Sequence, residues 1–194
     1  MIEKIYMRPE KIPTSNRGLE KYLSDLNLAK ETLEGKQILD LGSGTRRFAK
    51  ELEDSGIKAE VFSLDPIFEN PKEKIEAGAE ELSKQISETE RVSIVQKTIA
   101  GLGERLPFKN NSFDLILAEY SLPAHATSKK QIDDFFKNSL SSLRVGGELR
   151  FCPPVSLQNQ ELSEYITNKL TELSNTNVYE VTKSGQATII KKLK

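Results

Sequence analysis

The amino-acid sequence predicts an α/β fold in which a mostly parallel sheet carries helices on both faces. Three observations lead there: strand-like apolar runs that alternate with helical stripes, a glycine-rich strand-to-helix turn, and two final strand runs too close together for a crossover. At 194 residues the chain is one domain in size, long enough to bury a core without disulfides or structural metal.

The elements follow in order. Residues 1–18 hold Pro9, Pro13, Ser15, Asn16 and Gly18 among mixed charges, a composition suited to an irregular arm. Leu19, Tyr22, Leu23 and Leu26 then fall at helical spacing, and Glu34-Gly35-Lys36 supplies the turn that follows. This divides the chain into an N-terminal arm and helix, residues 1–35, and a main domain, residues 36–194. Seven strands are expected, at Gln37–Leu41, Glu60–Leu64, Val92–Gln96, Phe113–Glu119, Glu148–Phe151, Val178–Thr182 and Thr188–Leu193. Helical stripes lie between them at Phe48/Leu52, Ile75/Ala79/Leu82/Ile86, Ile132/Phe135/Phe136/Leu140/Leu143 and Leu162/Ile166/Leu170/Leu173. Only Lys183-Ser184-Gly185-Gln186 separates the last two strands, which makes them a hairpin and one of them antiparallel to its neighbours.

Composition excludes several functions. The 28 Lys+Arg against 29 Asp+Glu leave a net charge of -1, so no avid, sequence-independent nucleic-acid or membrane binding is expected. One cysteine, Cys152, and one histidine, His125, exclude a disulfide framework and a Cys/His metal cluster. No apolar run approaches the ~18 residues of a membrane span, and MIEKIYMRPEK lacks the apolar stretch of a secretory signal, so a cytoplasmic protein is expected.

The sharpest signal is Ile38-Leu39-Asp40-Leu41-Gly42-Ser43-Gly44-Thr45, a buried-strand run that ends in two glycines and opens into a helix. Glycine there lets a ligand approach the backbone closely beside a helix N-terminus, although a tight packing turn reads the same way. At the end of the next strand stands Asp65, placed to accept from both ribose hydroxyls, each such bond worth about 1.5–3 kcal/mol, or else to cap the following helix. Asp40 separates two ligand classes. A carboxylate two residues before the first glycine repels a pyrophosphate and favours an ammonium, which points to S-adenosylmethionine rather than a dinucleotide.

At these residues the sequence resembles the class I S-adenosylmethionine-dependent methyltransferases of small-molecule type, without an added substrate domain. The resemblance covers residues 36–155 through four ordered segments: ILDLGSGTRRF (Ile38–Phe48), VFSLDP (Val61–Pro66), LPFKNNSFDLIL (Leu106–Leu117) and LRVGGELRF (Leu143–Phe151). It implies a Rossmann-like methyltransferase fold with seven strands in the order 3-2-1-4-5-7-6, strand 7 antiparallel. It also implies the cofactor S-adenosyl-L-methionine, held by Asp40, Gly42, Ser43 and Gly44 around the methionine, Asp65 at the ribose, and Pro66 or Ile67 with Leu102-Gly103 at the adenine. Glu119, Tyr120 and Ser121 would face the methyl group and its acceptor.

Two positions depart from the family. Arg46 stands where a small residue, most often a third glycine, is usual; from the first helical turn it either reaches the cofactor carboxylate or fills the pocket. Leu102 replaces a usual acidic residue, leaving Glu104 either as its substitute or as a surface residue. Methyl transfer is an in-line displacement at an activated carbon, so alignment and water exclusion are the protein's main tasks. If a base is used, Glu119, Tyr120 and His125 are the catalytic candidates. Cys152 reads as a buried strand-end residue, and Pro153-Pro154 follows the fifth strand, not the fourth as in adenine- or glutamine-methylating enzymes. The resemblance also implies that the arm and its helix, residues 1–35, lie where family members build a lid over the cofactor, which makes Arg8, Arg17 and Tyr6 further candidates for substrate contact.

The expected activity is thus methyl transfer to a small-molecule acceptor, with no metal and no nucleic-acid or membrane partner. The alternative is a non-catalytic module of the same fold, its cofactor site weakened by Arg46 and Leu102, that serves a partner protein. A nicotinamide oxidoreductase fits worse, because Arg47 stands where that motif needs its third glycine.

Overall fold

In chain order the protein forms helix α1 (Leu19–Asp25), strand β1 (Gln37–Leu41), helix α2 (Arg47–Asp54), strands β2 (Glu60–Leu64), β3 (Thr98–Ile99) and β4 (Phe113–Glu119), helix α3 (Lys129–Ser142), strand β5 (Leu143–Cys152), helix α4 (Gln160–Ser174) and strands β6 (Tyr179–Ser184) and β7 (Ala187–Lys192). The coordinates are a computed structural model that describes residues 17–69 and 97–194. The seven strands make one sheet in the order β3-β2-β1-β4-β5-β7-β6. Pairing is parallel from β3 through β5, while β7 runs antiparallel to both β5 and β6. This is the Rossmann-like methyltransferase topology that the sequence implies.

The bounds of β1, β2 and β4 match the sequence expectation, and the hairpin closes at Gly185-Gln186, with Gly185 at φ 58°. Strand β5 is longer than the expected Glu148–Phe151. Leu143 pairs with Phe113, the register then slips around Gly146 (φ 81°), and regular pairing resumes at Glu148–Leu115. The expected strand Val92–Gln96, the stripe Ile75–Ile86 and arm residues 1–16 lie outside the described residues.

The two-residue side-chain period of a strand decides what each face receives. Leu39 and Leu41 of β1, with Ile116 and Ala118 of β4, pack toward Phe135, Phe136 and Leu140 of α3 and Ile166 of α4. Ile38, Leu115 and Leu117 turn to the other face and meet Tyr22 and Leu26 of α1 and Phe48 and Leu52 of α2. Each such large apolar side chain, once buried, contributes roughly 1.5–3 kcal/mol. The same alternation puts two polar residues on the α1 face: Asp40 lies two after Ile38, and Glu119 lies two after Leu117.

Helix α1 is tied down at both ends. Its N-cap, Gly18, has no side chain to offer, and Glu51 of α2 supplies the acceptor instead, taking the Leu19 N–H at 2.7 Å. At the other end the Leu26 carbonyl accepts from Arg150 of β5 at 3.1 Å, and Arg150 is itself paired with Glu148 at 2.8 Å. Tyr22 stacks on Phe48 with ring centroids 4.4 Å apart. Residues 19–26 are therefore docked against the sheet as one wall of the site beneath them.

Candidate functional site

The site gathers at the C-terminal ends of β1, β2 and β4, where an open parallel sheet places ligands. Gly42 and Gly44 hold φ of 73° and 54°, a region that suits glycine and lets the chain turn sharply after β1. A Cβ on Gly42 would collide with Ser121, whose hydroxyl donates to the Leu41 carbonyl at 2.6 Å. The Gly42 N–H donates to the Leu64 carbonyl at 2.8 Å, and the Gly44 N–H to Asp65 Oδ2 at 3.0 Å. Asp65, 6% exposed, thus joins the strand-end carboxylate to the glycine turn.

Asp40 is wholly buried and accepts a hydrogen bond from the Tyr22 hydroxyl at 2.9 Å. Its other oxygen, Oδ2, meets no donor among the described residues. Burial pushes the Asp40 carboxyl up to about 8; the Tyr22 bond opposes that, and the Glu119 and Asp65 charges add to it.

Glu119 is also wholly buried. Arg17 reaches it from the N-terminal side, with Nε 3.0 Å from Oε2 and Nη1 donating to the Glu119 carbonyl at 3.0 Å. The same guanidinium lies 4.8 Å from the Tyr120 ring centroid. Asp25, the last residue of α1 and 2% exposed, stands within hydrogen-bonding reach of Glu119. Burial pushes Glu119 up to about 7; Arg17 resists and Asp25 adds to the rise. Lys21 Nζ approaches Asp25 from solvent at 2.7 Å.

Tyr120 adopts φ 47°, uncommon for a non-glycine residue, and is held by its N–H to the Cys152 carbonyl at 2.6 Å. His125, exposed, hydrogen-bonds to the Tyr120 backbone; partial burial of its ring and the Arg17 charge lower its proton affinity. Glu119, Tyr120 and His125, separate candidates in the sequence, are thus brought around one guanidinium. Cys152 is buried in the core beneath them, and burial pushes its thiol up.

The adenine-side residues are placed differently. Pro66 opens a short 3-10 turn, Pro66–Glu69. Leu102 and Gly103 are half-buried, and a Cβ on Gly103 would press on Leu122. Glu104 is not a surface residue: it is 5% exposed, its carboxylate accepts from Gln131 of α3 at 3.3 Å and its carbonyl accepts from Asn138 at 2.6 Å. Arg46 stands before α2, not inside its first turn, at φ 62° in the left-handed region. Its side chain is wholly buried, bonds Thr98 of β3 and lies 5.1 Å from the Phe68 ring centroid.

Asp25 is the residue that sequence reasoning missed. It follows Tyr22 by three positions and so lies on the apolar stripe of α1, and a carboxylate on a buried face was the available signal.

Among the described residues no helix is long and apolar enough to cross a membrane, and no cluster of His, Cys, Asp and Glu is arranged to hold a metal ion.

A family model described as a methyltransferase domain matches residues 38–147, more than half of the chain. The protein therefore belongs to the methyltransferase domain family. No curated protein matches the sequence. Solved structures agree in fold. A protein from Corynebacterium glutamicum aligns with TM-score 0.58 and 11% identity over 91% of this chain and 88% of its own. A protein from Pyrococcus horikoshii gives 0.55 and 16% identity over 89% and 92%. The 1,6-didemethyltoxoflavin N1-methyltransferase of Burkholderia thailandensis, solved with 1,6-didemethyltoxoflavin and S-adenosylhomocysteine, gives 0.53 and 16% over 85% and 76%.

Proposed function

We propose that the protein is an S-adenosylmethionine-dependent methyltransferase that acts on a small-molecule acceptor. The observation that carries this reading is Asp40: a wholly buried carboxyl beside the glycine turn, with one oxygen on Tyr22 and the other without a donor among the described residues. A buried acceptor of that kind wants a cationic donor, and the amino group of the cofactor is one. The turn Gly42–Gly44 leaves backbone room for the methionine portion, and Asp65 stands at the strand end for the ribose hydroxyls. When bound, the cofactor supplies a methyl group already activated by a sulfonium.

The chain's own work is then positional. Ser121 bonds the Leu41 carbonyl and so fixes the start of the acceptor segment against the end of β1. Tyr120 and Glu119 form the acceptor side, with the proton affinity of Glu119 near neutrality where proton uptake from an acceptor is effective. Helix α1 covers the corner and keeps water from Asp40 and Glu119. The neighbour from Burkholderia, solved with a small heterocycle, supports a small-molecule acceptor.

Thermal unfolding with and without S-adenosylmethionine or S-adenosylhomocysteine tests this, with NAD as control. At 100 times Kd either ligand adds about 2.7 kcal/mol and raises the midpoint by roughly 5–10 °C. Asp65→Ala is expected to abolish the rise. A midpoint unmoved by millimolar ligand defeats the cofactor reading and leaves the non-catalytic module.

A further inference from the structure

Accepting the methyltransferase reading, we infer that the corner formed by Glu119, Asp25 and Tyr120 is a recognition site for a positively charged nitrogen, that Arg17 fills it from within the chain, and that the methyl acceptor is an aliphatic amine or guanidine which takes the place of Arg17. The argument starts from charge. Glu119 is wholly buried and Asp25 is 2% exposed, yet the cations that serve them, Arg17 and Lys21, are 25% and 52% exposed. The acids belong to the interior, and their partners reach in from the rim.

Glu119 Oε1 meets no N–H or O–H among the described residues, so the corner has an acceptor position to spare even with Arg17 in place. The rest of its shape suits a cation. The Tyr120 ring offers its face to the guanidinium at 4.8 Å, and the backbone at φ 47° holds the ring there. The Glu119 carbonyl adds a third acceptor at 3.0 Å from Arg17 Nη1. Two carboxyls, a carbonyl and an aromatic face make a donor-poor, acceptor-rich pocket that rejects anions and leaves a hydroxyl under-bonded.

Exchange must conserve charge. A neutral ligand that displaced Arg17 would leave Glu119 buried without a counter-charge, whereas an ammonium or guanidinium restores the pair. The other charged groups facing the corner, Lys21 of α1, Asp40 of β1 and His125 after β4, stay in place in either state. Loss of a proton from the ammonium to the Glu119–Asp25 pair would expose the nitrogen lone pair for attack on the methyl carbon. The nitrogen would gain the methyl as the bond from that carbon to the cofactor's sulfur breaks, the electron pair of that bond would leave with the sulfur as S-adenosylhomocysteine, and the carboxyl pair would keep the proton.

The test uses the full chain at pH 8 with four probes of one size: butylammonium, butylguanidinium, butanol and butanoate. Binding is followed by calorimetry or by chemical shifts, with and without saturating S-adenosylhomocysteine. The two cations are expected to bind at least tenfold more tightly than the alcohol or the acid. Glu119→Gln and Asp25→Asn should each weaken the cations about tenfold. Arg17→Ala should tighten them several-fold, because the internal competitor is gone, and this variant reads the idea even where a buried-acid variant fails to fold. Cation affinity unchanged in Arg17→Ala, or butanol binding as well as butylammonium, overturns the proposal. So does a preference for S-adenosylmethionine over S-adenosylhomocysteine that Glu119→Gln removes while butylammonium fails to bind, since the corner then recognises the sulfonium. The arms without S-adenosylhomocysteine keep this outcome separate from a failure of the cofactor reading, which Asp65→Ala and the thermal midpoint decide.

Discussion

At the scale of single residues, burial turns ordinary acids into unusual ones. Asp40 owes its only described donor to Tyr22, whose phenol is itself pushed well above its usual range by burial and by Asp40. The Tyr22 bond favours the charged carboxylate, so its loss matters most where Asp40 is ionised. Tyr22→Phe is expected to cost about 1–3 kcal/mol at pH 9 and less at pH 6, measured by denaturant unfolding at both values. An equal loss at the two pH values would show that the bond does not discriminate between the protonation states. Asp40 and Asp65 were legible in the sequence because strand ends beside a glycine turn constrain where a carboxylate can point. Asp25 was not, since its importance comes from β4, which lies 88 residues or more away in the chain. Arg46 was legible as an exception but not in direction: only the fold reveals that Phe68 and Thr98 receive it.

At the scale of elements, α1 depends on a cap borrowed from a neighbour. Gly18 sits so near Glu51 that a Cβ would collide with the carboxylate, at a backbone conformation (φ -94°) that any residue adopts. Gly18→Ala should therefore push Glu51 off the Leu19 N–H and cost about 1 kcal/mol, and Glu51→Ala should cost a similar amount through the same lost cap. The double variant is expected to cost little more than either single one, a coupling that a thermodynamic cycle on unfolding free energies reads directly. Additive costs would show that the two residues act separately. Pattern alone located α1, α2, β1, β2 and β4, because apolar period and glycine punctuation coincide there. It shortened β5, because the strand is interrupted by a register slip around Gly146 (φ 81°) and its first residue, Leu143, is a strand residue only through its pairing with Phe113 of β4. A local pattern has no view of the partner strand that makes such a segment a strand.

At the scale of the whole molecule, two buried acids bend the pH dependence of stability. Asp40 and Glu119 hold their protons in the folded state up to about 8 and about 7, whereas in the unfolded chain they release them near the usual carboxylate values. Between those limits the folded state binds more protons, so their contribution is complete below pH 4 and is lost as pH rises to 8. The unfolding free energy should fall from pH 5 to pH 8, by up to about 1.4 kcal/mol per pH unit for each carboxyl. Asp40→Asn and Glu119→Gln should each flatten that slope, and a slope unchanged in both would place the titrating groups elsewhere. The sheet order needed the four ordered motifs together with the short final hairpin; neither alone determines that β7 is inserted between β5 and β6.

The bond from Ser121 to the Leu41 carbonyl, under the tight approach of Gly42, rivets the donor side of the site to the acceptor side. Two strand ends joined in that way act as the fixed jaw of a calliper: the gap across which a group is passed is set by the sheet and does not adapt to the guest. Any broadening of the range of guests must then come from the opposite jaw, α1 and Arg17, two residues before its start. Libraries randomised at positions 17, 21 and 25 should shift preference among acceptors, whereas changes at 42 and 121 should lower turnover for all of them alike.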